Sequence, residues 1–327
     1  MFDEIYLRLL ADVMPEEIKP KPLELDRLLA QFHAGTLEKS AYGLLVQQVY
    51  RHDPHSNIGL RFGQHLHPAT LCDLSRALLT AENTQQLLQL LAQFHFTHGT
   101  SYYPSIHMSD SSWSIALSYP FEDDAHRNKR RFCAEAAFYY FINSFNELLS
   151  IPVKPEAVYF DFPAPPYAEH YDIWDCPVYF DHPIALIRFP NDFLDHAFHT
   201  SSPILHNIYL NKCLDSWRKS KRGQKLEHRA VSLMMQEHPE NFQSEVLAKK
   251  LNISLRGLQK RLNKQEQSYS LLSHYARREL SKIYLFQKQE ALDATAEKLG
   301  FQSASGFRRF FKQEFKQTPV HYLKHLN

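Results

Sequence analysis

The chain has 327 residues, 44% apolar and 22% charged, a balance that excludes a disordered or fibrous protein and leaves room for two domains of ordinary size. Its net charge of +1 conceals two opposed parts: residues 1–217 carry 15 Lys and Arg against 26 Asp and Glu, whereas residues 218–327 carry 22 against 10. No stretch approaches the ~20 apolar residues of a membrane span, and the start MFDEIYLRLLADVMPEE is acidic where a signal peptide is basic, so a cytoplasmic protein without a membrane partner is expected.

In chain order, residues 24–50 and 70–97 place apolar residues at helical spacing, with Thr70 and Asn83 followed by good helix formers. SYYPSIHMSD and SSWSIALSYP are rich in aromatic and β-branched residues and are joined by a Ser/Asp cluster, which predicts a hairpin. A long aromatic helix is expected from about Arg130 to Leu149, then short strands at Ala157–Phe162, Pro177–Phe180 and Ile184–Phe189. Residues 1–215 thus read as an α+β domain of helices plus a small antiparallel sheet. The polar, basic run at 216–225, SWRKSKRGQK, reads as a linker, and residues 226–327 as an all-α domain.

That last domain repeats one pattern. A helix-turn-helix needs a short apolar-faced helix with a small residue at the helix contact, a tight turn, and a second helix with an exposed polar face. In the first copy Ser244–Leu251 is the support helix, Ala248 the contact residue, Asn252-Ile253 the turn, and Ser254 the cap of the helix SLRGLQKRLNKQ. Leu258 and Leu262 face inward, leaving Arg256, Gln259, Lys260 and Asn263 on one polar face. In the second copy the support helix begins at Leu292, Ala296 lies at the contact and Gly300 supplies the turn. Ser303 caps SASGFRRFFKQEF; Phe307, Phe311 and Phe315 form the inward stripe, leaving Ala304, Ser305, Arg308, Arg309 and Lys312 outside. A basic domain with two such faces points to double-stranded DNA, where Arg reads guanine, Gln reads adenine and Lys neutralises phosphate.

Ser254 and Ser303 lie 49 residues apart, and a helical stretch at about Ser270 to Gln287 separates the copies. At ~1.5 Å per residue it spans roughly 27 Å, against ~34 Å between successive major grooves, so one monomer is expected to read two adjacent grooves over about 20 base pairs.

The stretches LAKKLNISLRGLQKRL and LGFQSASGFRRFFKQEFKQTPVHYL make the C-terminal region resemble the AraC family of bacterial regulators. The resemblance implies base contacts from Arg256, Gln259 and Lys260 in the first unit and from Ala304, Ser305 and Arg309 in the second. Gln267 and Gln317 stand where the family usually has Gly, Thr295 replaces a core aliphatic residue, and Leu323 a frequent Arg. IGLRFGQHLHP, AVYFDFPAPP and CPVYFDHPIALIRFPNDFLD make the upstream region resemble the branch with an arabinose-binding-type N-terminal domain. That implies a domain that binds a small-molecule effector and helps form a homodimer, with RNA polymerase as a further partner.

An effector pocket is expected to draw on Phe94, Phe96, Tyr102, Tyr103, Trp113, Phe138, Tyr139 and Phe141, residues that equally suit plain core. The alternative is a constitutive DNA-binding protein whose N-terminal domain serves only oligomerisation or partner docking. The histidine pairs 52/55, 65/67 and 95/98 lack the spacing of a metal site, and Cys72, Cys133, Cys176 and Cys213 suit reduced thiols. There is no GxSxG and no Gly-rich phosphate loop, so neither enzyme chemistry nor a cofactor is expected.

Overall fold

The computed structural model describes residues 2–33, 41–67, 73–94, 102–119, 127–223, 226–235 and 242–324. Contacts divide the chain into two units, Met1–Leu117 with Glu122–Ser216, and Ser118–Phe121 with Trp217–Asn327.

In the first unit the helical spacing of the N-terminal stretch gives α1 (Phe2–Val13), α2 (Pro22–His33), α3 (Ala41–His52), α4 (Ile58–His65), α5 (Asp73–Leu79) and α6 (Thr84–Phe94). The break before α6 follows from Asn83, whose side-chain oxygen accepts the backbone N–H of Gln86 at 3.0 Å and so caps the new helix. Two strands follow, β1 (Tyr103–Met108) and β2 (Ser112–Ser118), closed by Ser109, whose N–H donates to the Ser112 carbonyl at 2.8 Å.

Next comes α7 (Arg127–Leu149), with every residue from Arg131 to Tyr139 buried. A helix apolar on all sides must lie inside its domain, and α7 packs against α3 and α4. The sheet is completed by β3 (Ala157–Tyr159), β4 (Val178–Tyr179) and β5 (Ala185–Pro190), in the order β1-β2-β5-β3-β4. Here β5 pairs antiparallel with both β2 and β3, Ile187 standing opposite Ile115 and Val158. The sheet is mixed, however, because β3 and β4 run parallel. A parallel pair needs a long crossover, and the stretch holding the 3-10 turn Ala168–Trp174 supplies it.

Two glycines set how closely α4 approaches α7. A Cβ on Gly59 would lie 2.8 Å from Glu135 Cβ and 3.0 Å from the Phe132 carbonyl oxygen; one on Gly63 would lie 2.7 Å from Tyr139 Cβ. Glu135 is fully buried there and its Oε1 accepts the hydroxyls of Tyr167 and Tyr171, each at 2.7 Å. One helical turn earlier, Arg131 donates to the carbonyls of Pro54 and Ser56 at 2.9 and 3.1 Å, with its guanidinium 4.6 Å from the Tyr50 ring. Burial pushes the Glu135 carboxyl up to about 7, against the opposing pull of Tyr171, Tyr167 and Arg131.

Helix α8 (Pro203–Gly223) runs through most of the segment expected to be a linker. Nothing in SWRKSKR breaks a helix, and Gly223 is its last residue; the polarity that suggested a loop does not distinguish one from a solvated helix. The second unit continues with α9 (Leu226–Met234), α10 (Ser244–Lys250), α11 (Leu255–Asn263), α12 (Tyr269–Lys282) with a π turn at Ile283–Gln287, α13 (Leu292–Lys298), α14 (Ala304–Phe315) and α15 (Pro319–Lys324). No helix among the described residues is long and apolar enough to cross a membrane. Cys133 and Cys213 are buried and Cys176 is half-buried, and Cys72 lies outside the described residues.

Gly59→Ala should destabilise the first unit by about 1–3 kcal/mol through overpacking against α7, although alanine is the better helix former; an unchanged or raised thermal midpoint would refute this. Glu135 titrates higher folded than its ordinary 4.5. The folded state therefore retains a proton that the unfolded chain releases, so this group's contribution to stability falls as pH rises between those two values. In denaturant titrations followed by tryptophan fluorescence, the stability of Glu135→Gln relative to the parent should improve by about 2 kcal/mol between pH 5.5 and 8. Parallel pH profiles would show that the shift is absent.

Candidate nucleic-acid interface

The two helix-turn-helix units are built on the same backbone contacts. In the first, Ala248 is buried at the contact between α10 and α11, and Ile253 N–H reaches back to the Ala248 carbonyl at 3.1 Å. In the second, Ala296 is buried between α13 and α14, and Phe301 N–H reaches back to the Ala296 carbonyl at 2.9 Å. The left-handed turn residue is Asn252 (φ 59°) in one and Gly300 (φ 68°) in the other, the two residue types that adopt that conformation most readily.

Both recognition helices start at the serine the sequence indicates. Ser254 Oγ accepts the N–H of Gly257 at 3.0 Å, and Ser303 Oγ accepts that of Gly306 at 3.2 Å. The second turn is one residue longer, since Ser254 follows its contact alanine by six positions and Ser303 by seven. Inward, Leu258 and Leu262 are buried in one unit and Phe307 and Phe311 in the other, with Phe315 half-buried 4.3 Å from Phe311.

Outward, α11 exposes Arg256, Gln259, Lys260 and Asn263, and α14 exposes Ser305, Arg308, Arg309 and Lys312, with Ala304 half-buried. Ser305 Oγ lies 2.9 Å from Ser303 Oγ. The connecting helix treats its charges in the opposite way. Buried Glu279 accepts Lys282 Nζ at 2.8 Å, Arg278 Nε at 3.1 Å and the N–H of Tyr119 at 3.2 Å. Burial opposes the Glu279 charge, but Lys282 and Arg278 outweigh it and hold the carboxyl below its ordinary range. Thus α12 uses its charges within the fold, and α11 and α14 present their arginines and lysines to solvent.

Three of the departures from the pattern this region resembles, Thr295, Gln267 and Gln317, are accommodated. Thr295 is buried and turns its hydroxyl to the Ala291 carbonyl at 3.0 Å, so no donor is stranded in the core. The left-handed residues after the recognition helices are Glu266 (φ 55°) and Lys316 (φ 60°), one position before Gln267 and Gln317, so neither glutamine takes that conformation.

In the first unit, Trp113, Phe138 and Tyr139, three of the aromatic residues expected to line a pocket, are packed on other rings. Trp113 stacks on Phe189 at 4.5 Å and meets Phe145 at 5.3 Å, Phe138 meets Phe160 at 5.6 Å, and Tyr139 meets Trp174 at 6.2 Å. Phe94 and Phe141 are buried, and Tyr102 and Tyr103 half-buried. Phe96 lies outside the described residues, as do His95 and His98. His65 Nδ1 meets the Arg61 carbonyl and His67 pairs with Glu147 at 3.0 Å; no group of three metal-ligating side chains occurs among the described residues. Sequence reasoning missed Glu135, for which a signal existed: a lone carboxylate inside FCAEAAFYYF, on a helix apolar all round. It also missed Arg277, which nothing in ARRE sets apart from Arg278.

The two caps make a direct test of this local geometry. Ser254→Ala and Ser303→Ala should each cost about 1 kcal/mol of stability in the C-terminal unit, and Ser254→Asp should largely retain it. Caps that contribute nothing would leave both alanine variants at the parent's denaturation midpoint.

A family model described as the arabinose-binding domain of AraC transcription regulator, N-terminal, matches residues 23–198, more than half of the chain. A helix-turn-helix domain model matches residues 247–325. The ornithine utilization regulator of Pseudomonas aeruginosa is 24% identical over 268 residues, covering 81% of this chain and 78% of that protein. Among solved structures, the transcriptional regulator CdpR from Pseudomonas aeruginosa is 17% identical, covering 93% of this chain and 98% of that one, with a TM-score of 0.47. A DNA-binding transcriptional dual regulator from Escherichia coli K-12 is 21% identical over 31% of this chain and 92% of that one, with a TM-score of 0.28. With an N-terminal domain of that type over most of its first 200 residues and a helix-turn-helix domain behind it, the chain belongs to the AraC family of DNA-binding transcription regulators.

Proposed function

We propose that this regulator reads a two-part operator through Arg256, Gln259, Lys260 and Asn263 in one major groove and Ser305, Arg308, Arg309 and Lys312 in the next, under the control of a small molecule bound by its N-terminal domain. The observation that carries the reading is the contrast in charge use: the cations of α11 and α14 are exposed, whereas those of α12 are held in the fold. Exposed Arg and Lys on a capped recognition helix have phosphates and base edges as their natural partners. Ser254 and Ser303 take part as caps that aim the N-terminal turn of each helix at the groove, and Ala304 lets the backbone come close.

Residues 1–215 act as the effector-binding and dimerisation domain, 216–225 as the connection and 226–327 as the DNA-binding domain. Effector binding shifts the arrangement of a homodimer, which then recruits or blocks RNA polymerase in the cytoplasm. A second reading, constitutive DNA binding with an N-terminal domain used only for assembly, is favoured by the packing of Trp113, Phe138 and Tyr139 against other rings. Thermal-shift screening of the full chain against metabolites separates the two, since a ligand bound only by the native state must raise the midpoint.

Selection from random duplexes followed by footprinting should return two blocks within about 20 base pairs. Arg256→Ala should lower discrimination at one base position by about 1–3 kcal/mol, whereas removing a lysine that meets only phosphate should weaken all sequences alike and reduce the salt slope by about one. Enrichment of no sequence would defeat this reading of the interface.

A further inference from the structure

Two reading heads specify a two-part site only if something fixes their separation. The connecting helix α12 packs against α9 on the side of the first head and against α14 of the second. At its centre, Arg277 is placed between them. Its Nε donates to the Leu299 carbonyl at 2.9 Å, directly after α13 and before the turn residue Gly300. Its guanidinium carbon lies 4.9 Å from the Phe301 ring centroid in the second head and 4.8 Å from that of Phe242, two residues before the support helix of the first. Tyr269, at the start of α12, donates its hydroxyl to the Phe242 carbonyl at 2.5 Å, so that ring is anchored to the same helix.

A planar cation with a ring from each head and a hydrogen bond to the end of a helix is a rigid joint. The stacking is directional, and the positive charge suits the C-terminal end of α13. Lysine, a point charge on a flexible stem, cannot reproduce the plane. We infer that Arg277 is a positioning residue for DNA recognition: it fixes the separation and angle of the two reading heads, and thereby sets the spacing between half-sites that the protein accepts. The inference rests on the two-groove reading proposed above and adds to it the residue that enforces the spacing.

The test uses the full-length protein and the duplex selected by the parent, together with versions carrying one base pair more or fewer between the two blocks. One base pair shifts a half-site by ~3.4 Å and turns it by about 34°. The parent should lose about tenfold in affinity on either altered duplex, and Arg277→Gln about threefold or less, with an affinity for the selected duplex reduced by about three- to thirtyfold. Base preference within each block and the salt slope should be unchanged, since Arg277 touches no DNA in this account. Arg277→Lys should behave as Arg277→Gln does, and Phe242→Leu should relax spacing without removing any charge.

If Arg277→Gln does not fold, as judged by circular dichroism and its thermal midpoint, the lysine and leucine variants carry the same criteria. Folded variants that keep the parent's spacing penalty overturn the inference, as does a salt slope lowered by about one, which would make Arg277 a phosphate contact. A parent that selects a two-part site but tolerates any spacing also overturns it while leaving the two-groove reading intact. A parent that selects no two-part site defeats that reading itself, and the inference with it.

Discussion

A recognition helix can offer a polar face to DNA only if its apolar face is clamped at a fixed angle. Both clamps here depend on one constraint: an alanine small enough for two helices to touch, followed by a residue that accepts a left-handed backbone. Ala248 with Asn252 and Ala296 with Gly300 meet it, and the rest follows. Once the turn is fixed, a serine is in place to cap the next helix, Leu258 and Leu262 or Phe307 and Phe311 fall into the core, and the remaining positions are left outside by geometry alone. The polar faces are thus a by-product of a packing solution used twice. The extra residue in the second turn shows that the solution tolerates variation in the loop.

The same side-chain chemistry serves two ends between Arg256 and Arg309, separated by desolvation. A cation taken out of water must find a carboxylate, a carbonyl or an aromatic face, or its burial is strongly unfavourable. Arg278 and Lys282 find Glu279, and Arg277 finds Leu299 and two rings. Arg256, Arg308 and Arg309 remain hydrated and exposed, and a hydrated cation is the kind that can exchange water and counterions for phosphate. The +12 imbalance of residues 218–327 therefore understates how selectively charge is disposed on this unit.

Much of this was legible in the sequence, for identifiable reasons. The paired helix-turn-helix units were, because the alanine, the turn residue, the serine cap and the apolar stripe are all local in sequence. The β1 to β2 hairpin and the aromatic helix α7 were, because composition and turn residues mark them. Less was legible where structure depends on distant partners. The parallel pairing of β3 with β4 is decided by a crossover that carries no pattern of its own. The helical state of 216–223 was obscured because polarity is common to loops and solvated helices. Aromatic residues spaced for a pocket are also spaced for a core, and Trp113 on Phe189 shows the second use. Arg277 and Arg278 are adjacent and identical in type, yet one faces rings and the other a carboxylate, a distinction only the tertiary fold can make.

The contact of Gly59 with Glu135 has a consequence at the level of descent. The backbone of α4 sits where a methyl group would meet the carboxylate-bearing side chain of α7, so the identities allowed at one position depend on the other. A side chain at position 59 would press on the one at 135, and so on the acceptor shared by Tyr167 and Tyr171. The four positions, spread over more than a hundred residues, are thus coupled through one buried carboxylate, so that a change at any of them alters the surroundings of the other three.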